Sequence, residues 1–181
     1  VTLIAAAFAV SGLVALLIVV FNLTKEEVSQ AETPNMSFKY ATTIQDTVSV
    51  LRGSINQRVI GVIVETNGRN NALKVTAMEF NANGTSEPAT NMVENARLWY
   101  TGASREFIPS QQEGNTVINI KNDAFTFNCN QSLLPGKNYF WLTFDVKPEA
   151  TFGPGSIDAE CTSLRIGAIS YQCDVAAPEG K

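Results

Sequence analysis

Three cysteines, Cys129, Cys161 and Cys173, carry the sharpest chemistry in this sequence. Cys129 shares strand parity with Phe125 and Phe127, and Cys161 with Ile157 and Ala159, so both are expected to point inward and to join two sheets as a disulfide. Closing a loop of about thirty residues stabilises a domain by roughly 3 to 4 kcal/mol in the chain-entropy account, and such a bond suits an exported domain in an oxidising compartment. Cys173 is open to three roles: replacing either partner, staying a buried free thiol, or joining a neighbouring subunit. The spacing does not fit a zinc site.

Other chemistry is sparse. Histidine is absent from the 181 residues, which removes the commonest general acid/base and metal ligand, so no catalytic residue, metal or cofactor is assigned. Asp145, Asp158 and Glu160 fall near strand ends as a conceivable calcium set, yet no dense acidic loop accompanies them, and solvated carboxylates are the expected reading. Trp99 runs out of phase with Leu98 and Tyr100 and is the candidate glycan contact, since a sugar platform needs an exposed aromatic. The formal charge of −4, with both signs interspersed, excludes the basic stripe of a nucleic-acid surface.

The elements that must position these residues fall into two parts. From Val1 to Phe21 the chain carries no charge and no proline, and its twenty-one residues as a helix span roughly 32 Å, enough for a bilayer's hydrocarbon layer. With no basic residue before Lys25, it does not have the form of a signal peptide and is expected to be a mature, processed end starting at Val1. Ala5 and Ala9, and Ala7, Ser11 and Ala15, recur at four-residue spacing with Gly12 between them, which places small residues where another helix can approach closely. A plain single-pass anchor is the competing reading. Thr24 with Glu27 has the form of a capping box, and Pro34 ends helical geometry, so the domains are expected at 1–33 and 34–181.

Beyond Phe38 the pattern is β. Val59 to Val64 is a β-branched run closed by Asn67-Gly68; Leu73, Val75 and Ala77 alternate until Met78 and Phe80 break phase, which predicts a bulge. Tyr139 to Val146 is apolar on nearly both faces and is expected to be central. Segments near 96–101, 117–120, 125–129 and 164–171 complete seven to nine short strands, an antiparallel β-sandwich with no helical stretch inside it.

Val1-Thr2-Leu3-Ile4 followed by a long apolar run resembles the mature start of type IV pilins, over the first twenty or so residues only; Ala5 stands where that family has glutamate, so its docking contact with a neighbouring amine is not carried over. Val50 to Ser170, through blocks such as Ile55-Asn56-Gln57-Arg58-Val59-Ile60-Gly61-Val62, Ala96-Arg97-Leu98-Trp99-Tyr100-Thr101-Gly102 and Pro135-Gly136-Lys137-Asn138-Tyr139-Phe140-Trp141, resembles the β-sandwich at the amino-terminal side of BNR-repeat neuraminidases of Bacteroidota. That resemblance implies a bacterial surface setting and an immunoglobulin-like fold, without the arginine-rich site of the sialidase propeller.

Three functions compete. The first is a pilin-like subunit of an extracellular filament on the bacterial surface: helices bundle in the core, β-sandwich heads form the wall, identical subunits are the partners, and the inner membrane holds the chain before assembly. The second is a membrane-anchored recognition or adhesion module whose head binds a surface glycan or protein. The third is an accessory domain separated from a hydrolase. For the filament, replacing Ala7, Ser11 and Ala15 by Leu is expected to impair assembly while the head stays folded. Intact filaments from that triple variant, seen by negative-stain imaging, would refute the proposed shaft.

Overall fold

β-branched and aromatic runs in this chain are short and separated by Asn-Gly, Pro-Gly and similar turns, which favours hairpins over crossovers. The computed structural model describes residues 32–86, 88–150 and 156–177. The chain divides into two units, Val1–Glu32 and Thr33–Lys181. Val1 and the packing residues Ala5, Ala7, Ala9, Ser11, Gly12 and Ala15 lie outside the described residues, as does the expected helix up to position 31. Among the described residues no helix is long and apolar enough to cross a membrane.

In chain order the second unit holds β1 (Ser37–Gln45), β2 (Gln57–Asn67), β3 (Lys74–Asn81), the one-turn helix α1 (Ala89–Met92), β4 (Val93–Tyr100), β5 (Gln112–Ile118), β6 (Phe125–Ser132), β7 (Gly136–Val146), β8 (Glu160–Ile166) and β9 (Ile169–Tyr171). They form two sheets with every pairing antiparallel, β1-β2-β7-β4-β5 and β6-β3-β8-β9. One apolar cluster lies between the sheets, with Val62, Leu98, Phe140, Leu142 and Phe144 from the larger and Met78, Phe80, Phe127 and Leu164 from the smaller. Phe125 of β6 meets Phe144 of β7 across the gap, ring centroids 6.3 Å apart. The domain is a β-sandwich.

The phase break in β3 is visible as a register irregularity between Val75 and Ala77 against both neighbours, and Ala77 and Met78 are consecutive buried residues. Three details depart from expectation. The strand near 117–120 is β5, ending at Ile118. The segment 164–171 is two strands, because Gly167, at φ +58°, turns the chain back between β8 and β9. A single helical turn, α1, sits before β4.

Residues 33–36, at the expected domain boundary, are stitched to the β2–β3 turn. Met36 N–H donates to Asn70 O at 2.6 Å, Arg69 N–H to Pro34 O at 2.9 Å, and Asn70 Nδ2 to Thr33 O at 2.6 Å. Gly68 makes this approach possible: at φ +76°, a Cβ there would stand 2.2 Å from Asn35 O.

At one end of the core, Asn138 is fully buried and organises the turn into β7. Its Oδ1 accepts from the Tyr100 hydroxyl at 2.6 Å and from Leu134 N–H at 2.8 Å, while its Nδ2 donates to Leu134 O at 2.8 Å and Gly136 O at 3.1 Å. An aspartate in the same place would lose both donations and bury a charge, so the amide is chemically required. Asn138→Ala orphans several buried groups and is expected to cost about 3 kcal/mol, against about 1 kcal/mol for Tyr100→Phe, in urea denaturation of the full chain.

Candidate functional site

The outer face of the larger sheet concentrates the chain's aromatic and charged side chains. Register sets them in rows across three strands: Gly61, Trp141 and Trp99 in one row, Arg58, Thr143 and Arg97 in the next, then Asp145 beside Asn95. These positions alternate with the core-facing Phe140, Leu142 and Phe144, so the face follows from strand parity.

Trp141 packs against β2 at Gly61 and is 4% exposed. A Cβ at Gly61 would come within 2.7 Å of its Cζ3, so glycine is what lets the indole settle. The Arg58 guanidinium stands 4.9 Å from the Trp141 ring and is anchored in turn by Asp46, an arrangement that joins a cation–π contact to an ion pair. Trp141 Nε1 is buried and has no acceptor among the described residues.

Trp99, the candidate glycan contact, is not an exposed platform. It is 8% exposed, and its Nε1 donates to Thr143 Oγ1 at 2.9 Å. Phe107, in the segment between β4 and β5, covers both tryptophans, with ring centroids 6.5 Å from Trp99 and 6.3 Å from Trp141. Its phase correctly takes Trp99 off the core face; a loop far along the sheet then removes it from water. Parity carries no information about such a cover.

Beside the tryptophans, Asp145 gathers three donations. Arg97 Nη1 donates to its Oδ1 at 2.6 Å, Asn56 N–H to the same oxygen at 3.0 Å, and Asn95 Nδ2 to Oδ2 at 2.8 Å, while Arg97 also donates to Asn56 Oδ1 at 3.0 Å and so ties the group together. Burial by itself would raise this carboxyl's pKa; the hydrogen bonds from Arg97, Asn56 and Asn95 outweigh it and hold the group below the usual carboxylate range. Asp158, just before β8, accepts from Gln45 Nε2 of β1 at 3.0 Å, and Glu160 of β8 accepts from Asn81 Nδ2 of β3 at 2.9 Å. The three acids are thus not brought together, and among the described residues no group of three His, Cys, Asp or Glu side chains is placed to hold a metal ion.

The cysteines also differ from the expected pairing. Cys129 on β6 and Cys161 on β8 belong to one sheet with β3 between them: Cys161 pairs with Phe80, while Cys129 lies beyond Asn128, which pairs with Ala77. Two strand spacings alone separate them by about 10 Å, beyond the reach of a disulfide, and the offset along β3 adds to that. Inward parity holds for Cys161, but shared parity cannot say whether two strands face each other across a core or lie in the same sheet. Cys129 is half-buried, and burial, with Glu113 nearby, pushes its thiol up to about 12. Cys161 instead shares the apolar core with Cys173, and the neighbouring Cys173 thiol together with burial drives the Cys161 thiol well above its ordinary value.

What this face does chemically is hold shape. Its carboxylates are committed to arginines and amides, and its aromatics are packed under Phe107. Because the native pKa of Asp145 is depressed, the stability it supplies is complete above the unfolded value, about 4, and is lost as pH falls through the native value. Asp145→Asn is therefore expected to lose about 2–3 kcal/mol at neutral pH, with the difference from the parent chain closing in acid, when denaturation midpoints are measured across pH.

Comparison with known proteins agrees with this architecture. The sequence profile described as the N-terminal domain of BNR-repeat neuraminidase matches residues 39–168, more than two thirds of the chain. Among solved structures, the fold is similar to Hadza microbial sialidase Hz136, with a TM-score of 0.58 over 76% of this chain at 13% identity. The matched part is 30% of that sialidase chain, so the likeness concerns the fold. No curated protein matches the sequence. The β-sandwich and the profile match over 39–168 together show that this chain belongs to the family of N-terminal domains of BNR-repeat neuraminidases.

Proposed function

We propose that this chain is a non-catalytic, immunoglobulin-like module displayed at a bacterial cell surface and held there by its apolar segment, residues 1–21. The observation that carries this reading is the juxtaposition of an uncharged twenty-one-residue run with a domain whose family match falls on the part of the neuraminidases that precedes the BNR repeats. The buried carboxylate of Asp145 and the charge on Asp46 serve ion pairs with Arg97 and Arg58, which accords with a structural head. The head's ligand is a surface protein or glycan met outside the Trp99–Trp141 face, since Phe107 closes that face.

A second reading, a pilin-like filament subunit, is favoured by Val1-Thr2-Leu3-Ile4 and by the small-residue faces of Ala5, Ala7, Ala9, Ser11, Gly12 and Ala15. There the helices leave lipid for each other, and since lipid is as apolar as a helix bundle, packing and head contacts supply the gain.

Expression of the chain in a Bacteroidota host separates the readings. Display predicts a membrane-bound monomer that resists alkaline carbonate extraction and whose head is cut by protease added to intact cells. Recovery in sheared extracellular filaments would select the pilin reading, and a protease-inaccessible chain in the soluble fraction would overturn both.

A further inference from the structure

The smaller sheet ends in a hairpin that brings the chain's last described segment back beside β8. After β9, that segment crosses from one sheet to the other. Cys161 N–H donates to Ala176 O at 3.0 Å in the smaller sheet, while Asp174 N–H donates to Ala41 O at 2.8 Å and Thr43 Oγ1 to Val175 O at 2.5 Å, both on β1 of the larger sheet. Phe38 of β1 and Tyr171 of β9 stack next to this strap, ring centroids 4.1 Å apart. Residues 173–176 thus close the open edge of the sandwich, where no strand pairing joins β1 to β9.

Within the strap, Cys173 is buried in the same apolar cluster as Cys161, whose own backbone N–H is bonded to Ala176 three residues further along the strap. We propose that Cys161 and Cys173 are the disulfide site of this protein, a bridge that staples the strap to β8, and that Cys129 takes no part. The backbone bond from Cys161 N–H to Ala176 O holds the strap against β8, so an S–S bond of about 2.05 Å would fasten two segments that already lie side by side. Cys129 on β6 has β3 between it and β8, the strand of Cys161.

The reaction is thiol–disulfide exchange with an external disulfide, oxidised glutathione in the test and a thiol–disulfide oxidoreductase at a cell surface. One protein thiolate attacks the external disulfide, forming a mixed disulfide and releasing one glutathione thiol. The other thiolate attacks the mixed disulfide at the protein sulfur, forming Sγ–Sγ and releasing the second glutathione thiol. Two S–H protons leave the protein, and its two electrons reduce the glutathione disulfide. The neighbouring Cys173 thiol and burial keep Cys161 protonated at neutral pH, so exchange is faster in alkaline buffer.

The test uses the full chain, purified in detergent, fully reduced and then incubated with oxidised glutathione. Trypsin cuts at Arg165, between the two cysteines, so the bridge yields two peptides joined until reduction. The expected result is a monomer lighter by two hydrogens, a linked Cys161–Cys173 peptide pair, and Cys129 as the thiol still open to alkylation after denaturation. Cys129→Ser keeps the link and Cys173→Ser abolishes it. Oxidation is expected to raise Tm by roughly 5–10 °C and to slow hydrogen exchange at Asp174 N–H by about tenfold or more. Three alkylatable thiols after oxidation, a link through Cys129, or a dimer joined through Cys173 would each overturn the site. An unchanged exchange rate at Asp174 in the bridged monomer would overturn its role as a staple.

Discussion

The structure depends on one strand being removed from water on both faces. In β7, every residue from Asn138 to Val146 is buried. Phe140, Leu142, Phe144 and Val146 supply the core, while Trp141, Thr143 and Asp145 form the floor of the outer face. A strand in that position must be covered twice. The smaller sheet covers one side; the other is covered by Trp99, Arg58 and Phe107, with Arg97 and two asparagines holding the buried Asp145. Burying Asp145 is tolerable because its oxygens receive Arg97, Asn56 and Asn95 together; any one of these alone would leave lone pairs of a buried charge unmet.

This double cover explains why the outer face is a poor site for chemistry despite its composition. Tryptophans and arginines on a sheet suggest a ligand platform, yet here they serve each other. Trp99 gives its N–H to Thr143, the Trp141 ring carries Arg58, and Arg58 neutralises Asp46. Glycine at 61 permits the closest of these contacts, and Asn138 satisfies the turn from which β7 starts. Polar groups therefore fix the sheet's arrangement while apolar burial supplies most of the driving force.

The weak place in such a sandwich is its open edge. The smaller sheet ends in the three-residue β9, and the edge between β1 and β9 is spanned by backbone from residues 173–176 in place of a further strand. Few hydrogen bonds hold that strap, so its opening costs less than global unfolding unless something else fastens it. The adjacent thiols of Cys161 and Cys173 lie where a fastening would act.

Much of the architecture is legible in the residues themselves. The centrality of β7 follows from Tyr139 to Val146 being apolar on both parities, the irregularity of β3 from the consecutive Ala77 and Met78, and the β2–β3 turn from Asn67-Gly68, because strand periodicity and turn chemistry are local properties. Local pattern stops at which face meets which. It identified Cys161 as inward but joined it to Cys129, and it set Trp99 off the core without showing Phe107 above it. The two-sided burial of one strand was determined by the sequence alone. The partners of Cys161, Trp99 and Asp145 were decided by the tertiary structure, since they come from strand order and loop return, which bring together residues on different segments of the chain.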